Sequence, residues 1–201
     1  MAFERPAPGE ELNDGDIVTP REAATLILLR DGERGPEVLL VQRNPAQRFM
    51  GGLWVFPGGG RSASDESLLH TALRELEEEA GIRLEHPDAP LFSRWITPVQ
   101  LSIRFDASFF VAAAPPDATA RIDGSECVDV RWIRPADALA AQEREELGLA
   151  FPTIKQLEEL SGYDSVAHAL ETARGRTVEA ILPRIEGTVE SVTVKLPDDP
   201  D

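Results

Sequence analysis

Glu75, Glu78 and Glu79 stand at i, i+3 and i+4 within the segment GGGRSASDESLLHTALRELEEEAGI, residues 58–82. On an α-helix, which turns about 100° per residue, that spacing puts the three carboxylates on one face. Like charges so placed destabilise an isolated helix by roughly a few tenths of a kcal/mol per pair. A divalent cation removes that penalty. Magnesium prefers oxygen donors in an octahedral shell, which it completes with water and substrate phosphates. Metal-assisted chemistry is therefore one reading of this face, and a solvated acidic surface is the other. Leu69, Ala72, Leu73, Leu76 and Ala80 form a separate apolar stripe that should be buried, while Glu77 points away from both groups toward solvent. Arg74, next to Glu75 and four residues before Glu78, can orient a carboxylate by charge-assisted hydrogen bonds or serve as an ordinary surface pair.

The elements that must hold this helix can be read around it. Glu22–Gly32 and Pro36–Asn44 are β-rich and separated by the turn-forming DGERGP, which predicts a hairpin. Leu53–Gly60 is a short strand running into a glycine loop. Ser64 or Asp65 is expected to cap the helix, and Gly81 to end it. Further strands are expected from Leu91, over Ile103–Ala113 and over Glu126–Ile133. Arg134–Gly162 should be mainly helical with an interruption near Pro152, followed by a short helix over Asp164–Gly175. Two closing strands, TVEAILPRI and TVESVTVKL, flank the dipeptide EG. Short turns between several strands favour a mixed sheet with helices packed on it.

Composition bounds the setting. The 201 residues suit one domain with decoration, and a hydrophobic content of 42% supports an ordinary core. Residues 1–20 lack an apolar leader and are expected to be a flexible lead-in, with one domain over 21–196 and an acidic tail over 197–201. Within that domain, the core is expected over 21–135 and an extension over 136–196. Cys127 is the only cysteine, so no intrachain disulfide can form, and a reducing cytoplasm is the simplest setting. A net charge of −16 opposes nonspecific binding to nucleic acid or anionic membranes. His70, His86 and His168 have no zinc-like spacing.

Gly60, five residues, Glu66, seven residues, then Arg74 to Ile82 reproduce a known signature: glycine, glutamate and REUxEExGU, with U apolar. The chain resembles the Nudix hydrolases on these residues. The resemblance implies a Nudix-type α/β/α sandwich with a mixed β-sheet, carrying C-terminal helices and a closing strand pair. It implies a loop–helix–loop that places the acidic face under a bound diphosphate. By that resemblance Glu75, Glu78 and Glu79 bind Mg2+ or Mn2+, with a carbonyl near Gly59 as a further ligand. Glu66 supports the loop and metal shell, and Arg74 belongs to the catalytic set. Glu126 is a candidate metal ligand or base as well as a candidate plain surface acid, and Asp123 competes with it. Glu75 and Glu126 both stand for the general base.

The residues ahead of the signature refine the expectation. LLVQRNPAQRFMGGLWVFPGG, residues 39–59, resembles the motif of the coenzyme A diphosphatase branch, with Arg43, Arg48, Gly52 and Phe56–Gly59 in register. Val41 and Asn44 depart from it. The signature glycine, Gly60, falls one position after FPGG, the longer spacing of that branch. The resemblance implies hydrolysis of coenzyme A or acyl-coenzyme A, with Arg43 and Arg48 as phosphate-pairing residues. ADP-ribose, NADH or a nucleotide sugar is the alternative substrate, and a non-catalytic sensor a third reading. The helices after Pro135 are expected to cap the cleft and the last strands to offer a homodimer edge.

Overall fold

The computed structural model describes residues 2–3, 11–13, 15–122, 124–188, 191–197 and 199. In chain order the elements are β1 (Ala2–Phe3), β2 (Arg21–Gly32), β3 (Gly35–Arg43), β4 (Trp54–Val55), β5 (Gly58–Gly60), α1 (Leu68–Ala80), β6 (Leu91–Ile96), β7 (Phe105–Ala113) and β8 (Cys127–Ile133). Then come α2 (Pro135–Glu143), α3 (Phe151–Leu160), α4 (Val166–Gly175), β9 (Ala180–Ile181), β10 (Arg184–Thr188) and β11 (Ser191–Lys195).

The main sheet runs in the order β4-β3-β2-β7-β6-β9, with β5 also paired to β2 and β8 to β3. β2 and β7 are parallel, as are β6 and β9, while β2 and β3 form the expected antiparallel hairpin. Strand side chains alternate between faces, and β2 uses both. Leu26 and Leu28 pack with Ala72, Leu76 and Ala80 of α1. Ile27 and Leu29 belong to the opposite cluster, with Ile154, Leu157, Val166 and Ala169 of α3 and α4. The result is the expected α/β/α sandwich around a mixed sheet.

Three local expectations change. Helix α1 is capped by Ser67, whose hydroxyl accepts from His70 N at 3.1 Å, instead of by Ser64 or Asp65. At its other end Gly81 takes φ 65° and donates to Glu77 O, as expected. Pro152 does not interrupt a helix: it lies in the first turn of α3, where its missing N–H costs nothing, and the break is the segment 144–150. The glycines 58–60 form a strand, not a loop. The cap makes a simple prediction. Ser67→Ala should lower stability by about 1 kcal/mol, a fall in Tm of roughly 2–4 °C for a chain of this size, as measured by thermal unfolding.

Described residues within the expected lead-in make defined contacts. Ala2–Phe3 pairs with β11, which pairs with β10 in a small three-stranded sheet. Leu12 bridges Leu101, and the buried Arg104 donates through Nη1 to Val18 O. No helix among the described residues is long and apolar enough to cross a membrane.

Candidate active site

Glycines 58–60 explain how a helix on one face of the sheet serves a cleft on the other. They pair with Thr25, Ala24 and Ala23 of β2 and present no side chains. Ala23 and Thr25 share the alternating face of Ile27, away from α1. They line a cavity of about 550 Å³ that also takes in Gly58, Gly59, Gly60, Glu75, Glu79, Arg43 and Glu126. The carboxylates of α1 reach this cavity past the bare strand. A Cβ added at Gly59 would stand 2.5–2.6 Å from the Glu75 carboxylate, whereas one at Gly60 would meet nothing within 4 Å. Gly59→Ala should therefore displace Glu75 and cut kcat/KM by roughly 100-fold, with little loss of stability because a side-chain tip can move. Gly60→Ala should stay within a fewfold of the parent. Steady-state kinetics alongside thermal unfolding separates the two, and equal activities would contradict the packing.

The three glutamates do not share one environment. Glu79 is 2% exposed, and its Oε2 accepts from Gly58 N at 2.9 Å. Its Oε1 is buried without a hydrogen-bond partner, with Arg43 Nη1 at 3.6 Å. Burial, offset in part by the Gly58 amide and Arg43, lifts its carboxyl to a pKa of about 7. Glu75 is 8% exposed, and burial raises its pKa too, against the opposing pull of Arg74. Glu78 is exposed and lies outside the cavity wall. Glu77 faces solvent as expected.

Arg74 organises the set. Its Nη1 lies 2.8 Å from both Glu75 Oε1 and Glu78 Oε2, and its Nη2 donates to Gly60 O at 3.2 Å. Its remaining edge is held by Asp65, which accepts from Arg74 Nε and Nη2, both at 3.1 Å. Asp65 is 4% exposed and also receives Ser62 N at 2.8 Å and the Thr71 hydroxyl at 2.9 Å. The guanidinium of Arg74, with the amide and hydroxyl donors, holds the Asp65 carboxyl well below the ordinary range. Sequence reasoning offered Asp65 only as a cap. The signal that could have found it is the polar spacing Ser62, Asp65, Thr71, Arg74 across the loop and first helical turns. Glu66, beside it, has an exposed side chain, and its backbone N–H donates to His70 Nδ1.

The two arginines part company. Arg43 lines the cavity, and its Nε donates to Phe49 O at 3.2 Å. Arg48 is 79% exposed at the side chain, lies 3.9 Å from Glu11 and does not line the cavity. Glu126 lies on the cavity wall, exposed, and its charge adds to the upward push on Glu75. Asp123 falls outside the described residues.

The donor set suits a divalent cation in chemistry, though not as a ready-made cluster. Among the described residues no three carboxylate, histidine or cysteine side chains are already gathered around one point. Arg74 Nη1 pairs with both Glu75 and Glu78 at 2.8 Å. The chemistry nevertheless fits: the donors are hard oxygens, two of the glutamates are buried, and Glu79 Oε1 lacks a hydrogen-bond partner.

This sandwich, with a glycine strand laid over a buried glutamate pair, defines a family. The NUDIX domain model matches residues 19–165, and the chain belongs to that family. It is 35% identical over 104 residues to "Uncharacterized Nudix hydrolase NudL" of Citrobacter koseri, covering 52% of each chain. It is 28% identical over 135 residues to the protein of that name from Photorhabdus laumondii, covering 67% of this chain and 68% of that one. The chain thus spans about half the length of the first of these curated relatives. A Nudix hydrolase from Alicyclobacillus acidocaldarius superposes with a TM-score of 0.70 at 25% identity, over 78% of this chain and 97% of that one. The Nudix domain of Shewanella oneidensis NrtR, solved with ADP-ribose, gives 0.58 at 23% identity, over 73% and 90%.

Proposed function

We propose that this protein hydrolyses the diphosphate bond of a nucleoside diphosphate linked to a group X, with a divalent metal, and that its substrate is coenzyme A or acyl-coenzyme A. The observation that carries the reaction class is the buried pair Glu75 and Glu79 on the wall of a cavity floored by glycines. Arg74 meets Glu75 at 2.8 Å and Arg43 approaches Glu79 at 3.6 Å, but burying Glu79 Oε1 without a hydrogen-bond partner still costs folding energy, which a bound metal would offset. A non-catalytic sensor would have no use for that cost.

Glu75, Glu79 and Glu78, with the carbonyl near Gly59, would hold Mg2+ or Mn2+. When bound, the metal supplies charge neutralisation on the diphosphate and acidifies a water. The protein's own residues do the rest. Gly59, having no Cβ, leaves room for the Glu75 carboxylate, and Arg43 pairs with a phosphate oxygen while Phe49 O fixes its side chain. Arg74 and Asp65 set the rotamer of Glu75. Glu126, on the cavity wall, or Glu75 accepts the proton of the attacking water. Arg43 in this position, together with the upstream motif, favours coenzyme A. Arg48 gives it no support, because its side chain turns to Glu11.

The test is a substrate panel with Mg2+, Mn2+ or chelator, with products identified by mass. Coenzyme A should give 3′,5′-ADP and a phosphopantetheine product only with metal. Turnover of coenzyme A no better than a blank, beside rapid cleavage of ADP-ribose, NADH or a nucleotide sugar, would move X to the alternative.

A further inference from the structure

The cavity has two unlike ends. Its charged lining side chains are Arg43, Glu75, Glu79 and Glu126, all grouped about the glycine strand. The rest of the wall is apolar, and Trp95, Leu101, Phe105, Phe151, Ile185 and Val194 carry it. They come from β6, the loop before β7 and the first residue of β7, the start of α3 and the β10–β11 pair. Two of the polar side chains that also line the cavity are engaged: Thr97 Oγ1 accepts from Phe105 N at 3.0 Å and Gln142 Oε1 from Leu149 N at 2.6 Å, while Trp95 Nε1 is a buried donor without a partner. A sugar or a second nucleotide would need several hydrogen-bond partners here, and a further phosphate would need a cation. Beyond the acidic end the wall offers no charged side chain among the described residues. An aliphatic chain needs only apolar surface.

The source of that surface matters. The family match ends at residue 165, so Pro183, Ile185 and Val194 are contributed by chain beyond it. They are held in place over the family core. β9 pairs with β6, setting Ile181 opposite Trp95, and Gln100 Nε2 donates to Ile185 O at 3.5 Å. Phe151 packs edge-on against Trp95 with ring centroids 6.0 Å apart. The roof is therefore an addition to the core, continuous with the cleft that holds the acidic groups.

We propose that the β10–β11 pair, with Trp95 and Phe151, forms a subsite for an aliphatic acyl chain carried by group X, with Ile185 and Val194 setting specificity. This rests on the coenzyme A reading above. The experiment measures kcat/KM for coenzyme A and for saturated acyl-coenzyme A from acetyl to octanoyl, with ADP-ribose as a separate substrate. The parent protein should gain roughly tenfold or more across the series, since each buried methylene favours binding. Ile185→Asp and Val194→Asp, each checked for folding by circular dichroism, should flatten that slope, and Ile185→Leu should keep it. Coenzyme A turned over with a flat slope in the parent would overturn the acyl subsite and leave the coenzyme A reading standing. A slope that survives both aspartates would overturn the role of the roof. If the whole series resists hydrolysis while ADP-ribose is cleaved, the coenzyme A reading fails, and the acyl subsite with it.

Discussion

Glu79→Gln is expected to lower kcat/KM on the order of 1000-fold while leaving the protein at least as stable at pH 8. Two features produce the split. A glutamine can still accept from Gly58 N, so the fold keeps the 2.9 Å bond that ties α1 to the glycine strand. It can no longer offer a negative Oε1, the buried oxygen without a hydrogen-bond partner. The stability side follows from the raised carboxyl. Its pKa rises from an ordinary 4.5 to about 7 chiefly through burial. A raised acid stabilises the fold fully below its unfolded pKa and loses that contribution as pH rises through the folded value. From about pH 4.5 to 7 the parent should therefore lose stability on the order of 3 kcal/mol from this group, and the glutamine variant should not. Added Mg2+ should reverse the trend, because a bound cation favours the ionised form. It should raise the Tm of the parent more at pH 8 than at pH 5.5, and raise that of the variant little. A variant within tenfold of parent activity, or a Mg2+ effect unchanged by the substitution, would remove Glu79 from the site.

Much of this site was legible because helical periodicity is a local property. Of the expected stripe Ala72, Leu76 and Ala80 are buried while Leu69 and Leu73 are half-buried, and Glu77 faces solvent. The hairpin of β2 and β3 followed from alternating apolar residues around a turn. What periodicity could not give was depth. Glu75, Glu78 and Glu79 share a helical face by angle, yet Gly58 and Gly59 cover the first and third while the second stays exposed. That division depends on which strand lies over the helix, a long-range fact. Arg43 and Arg48 matched one motif equally, but only Arg43 sits at the end of a paired strand. Arg48 lies past the end of that strand, just before the positive-φ residues Met50 and Gly52, and its side chain is exposed. The roof over the cavity was equally hidden. Closing strands were readable, though the expected divider Glu186–Gly187 lies inside β10, and the pairing of β11 with β1 and the place of β9 beside Trp95 are set by tertiary contacts.

Asp65→Asn should cost about 2–4 kcal/mol and much of the activity together, unlike the Glu79 substitution. The reason is geometric. Asp65 Oδ2 accepts from Ser62 N, Thr71 Oγ1 and Arg74 Nη2, while Oδ1 accepts from Arg74 Nε. Every partner is a donor. An asparagine must place an NH2 in one of the two positions, so it faces either three donors or the guanidinium, whichever way it is turned. With that anchor gone, Arg74 is free to leave Glu75, which it holds at 2.8 Å. Tm should fall by roughly 5–10 °C, and kcat should fall more than KM rises, because positioning of a reacting group is lost and not substrate contact. The pH dependence carries the opposite sign to Glu79. Asp65 titrates below the ordinary range because of Arg74, so its contribution is present above the unfolded pKa and lost as pH falls through the folded one. The stability gap between parent and variant should therefore hold from neutral pH down to mild acid and close only in strong acid. A gap that closes near neutral pH, or a variant with parental Tm and reduced activity, would mean that Asp65 does not brace the loop through Arg74.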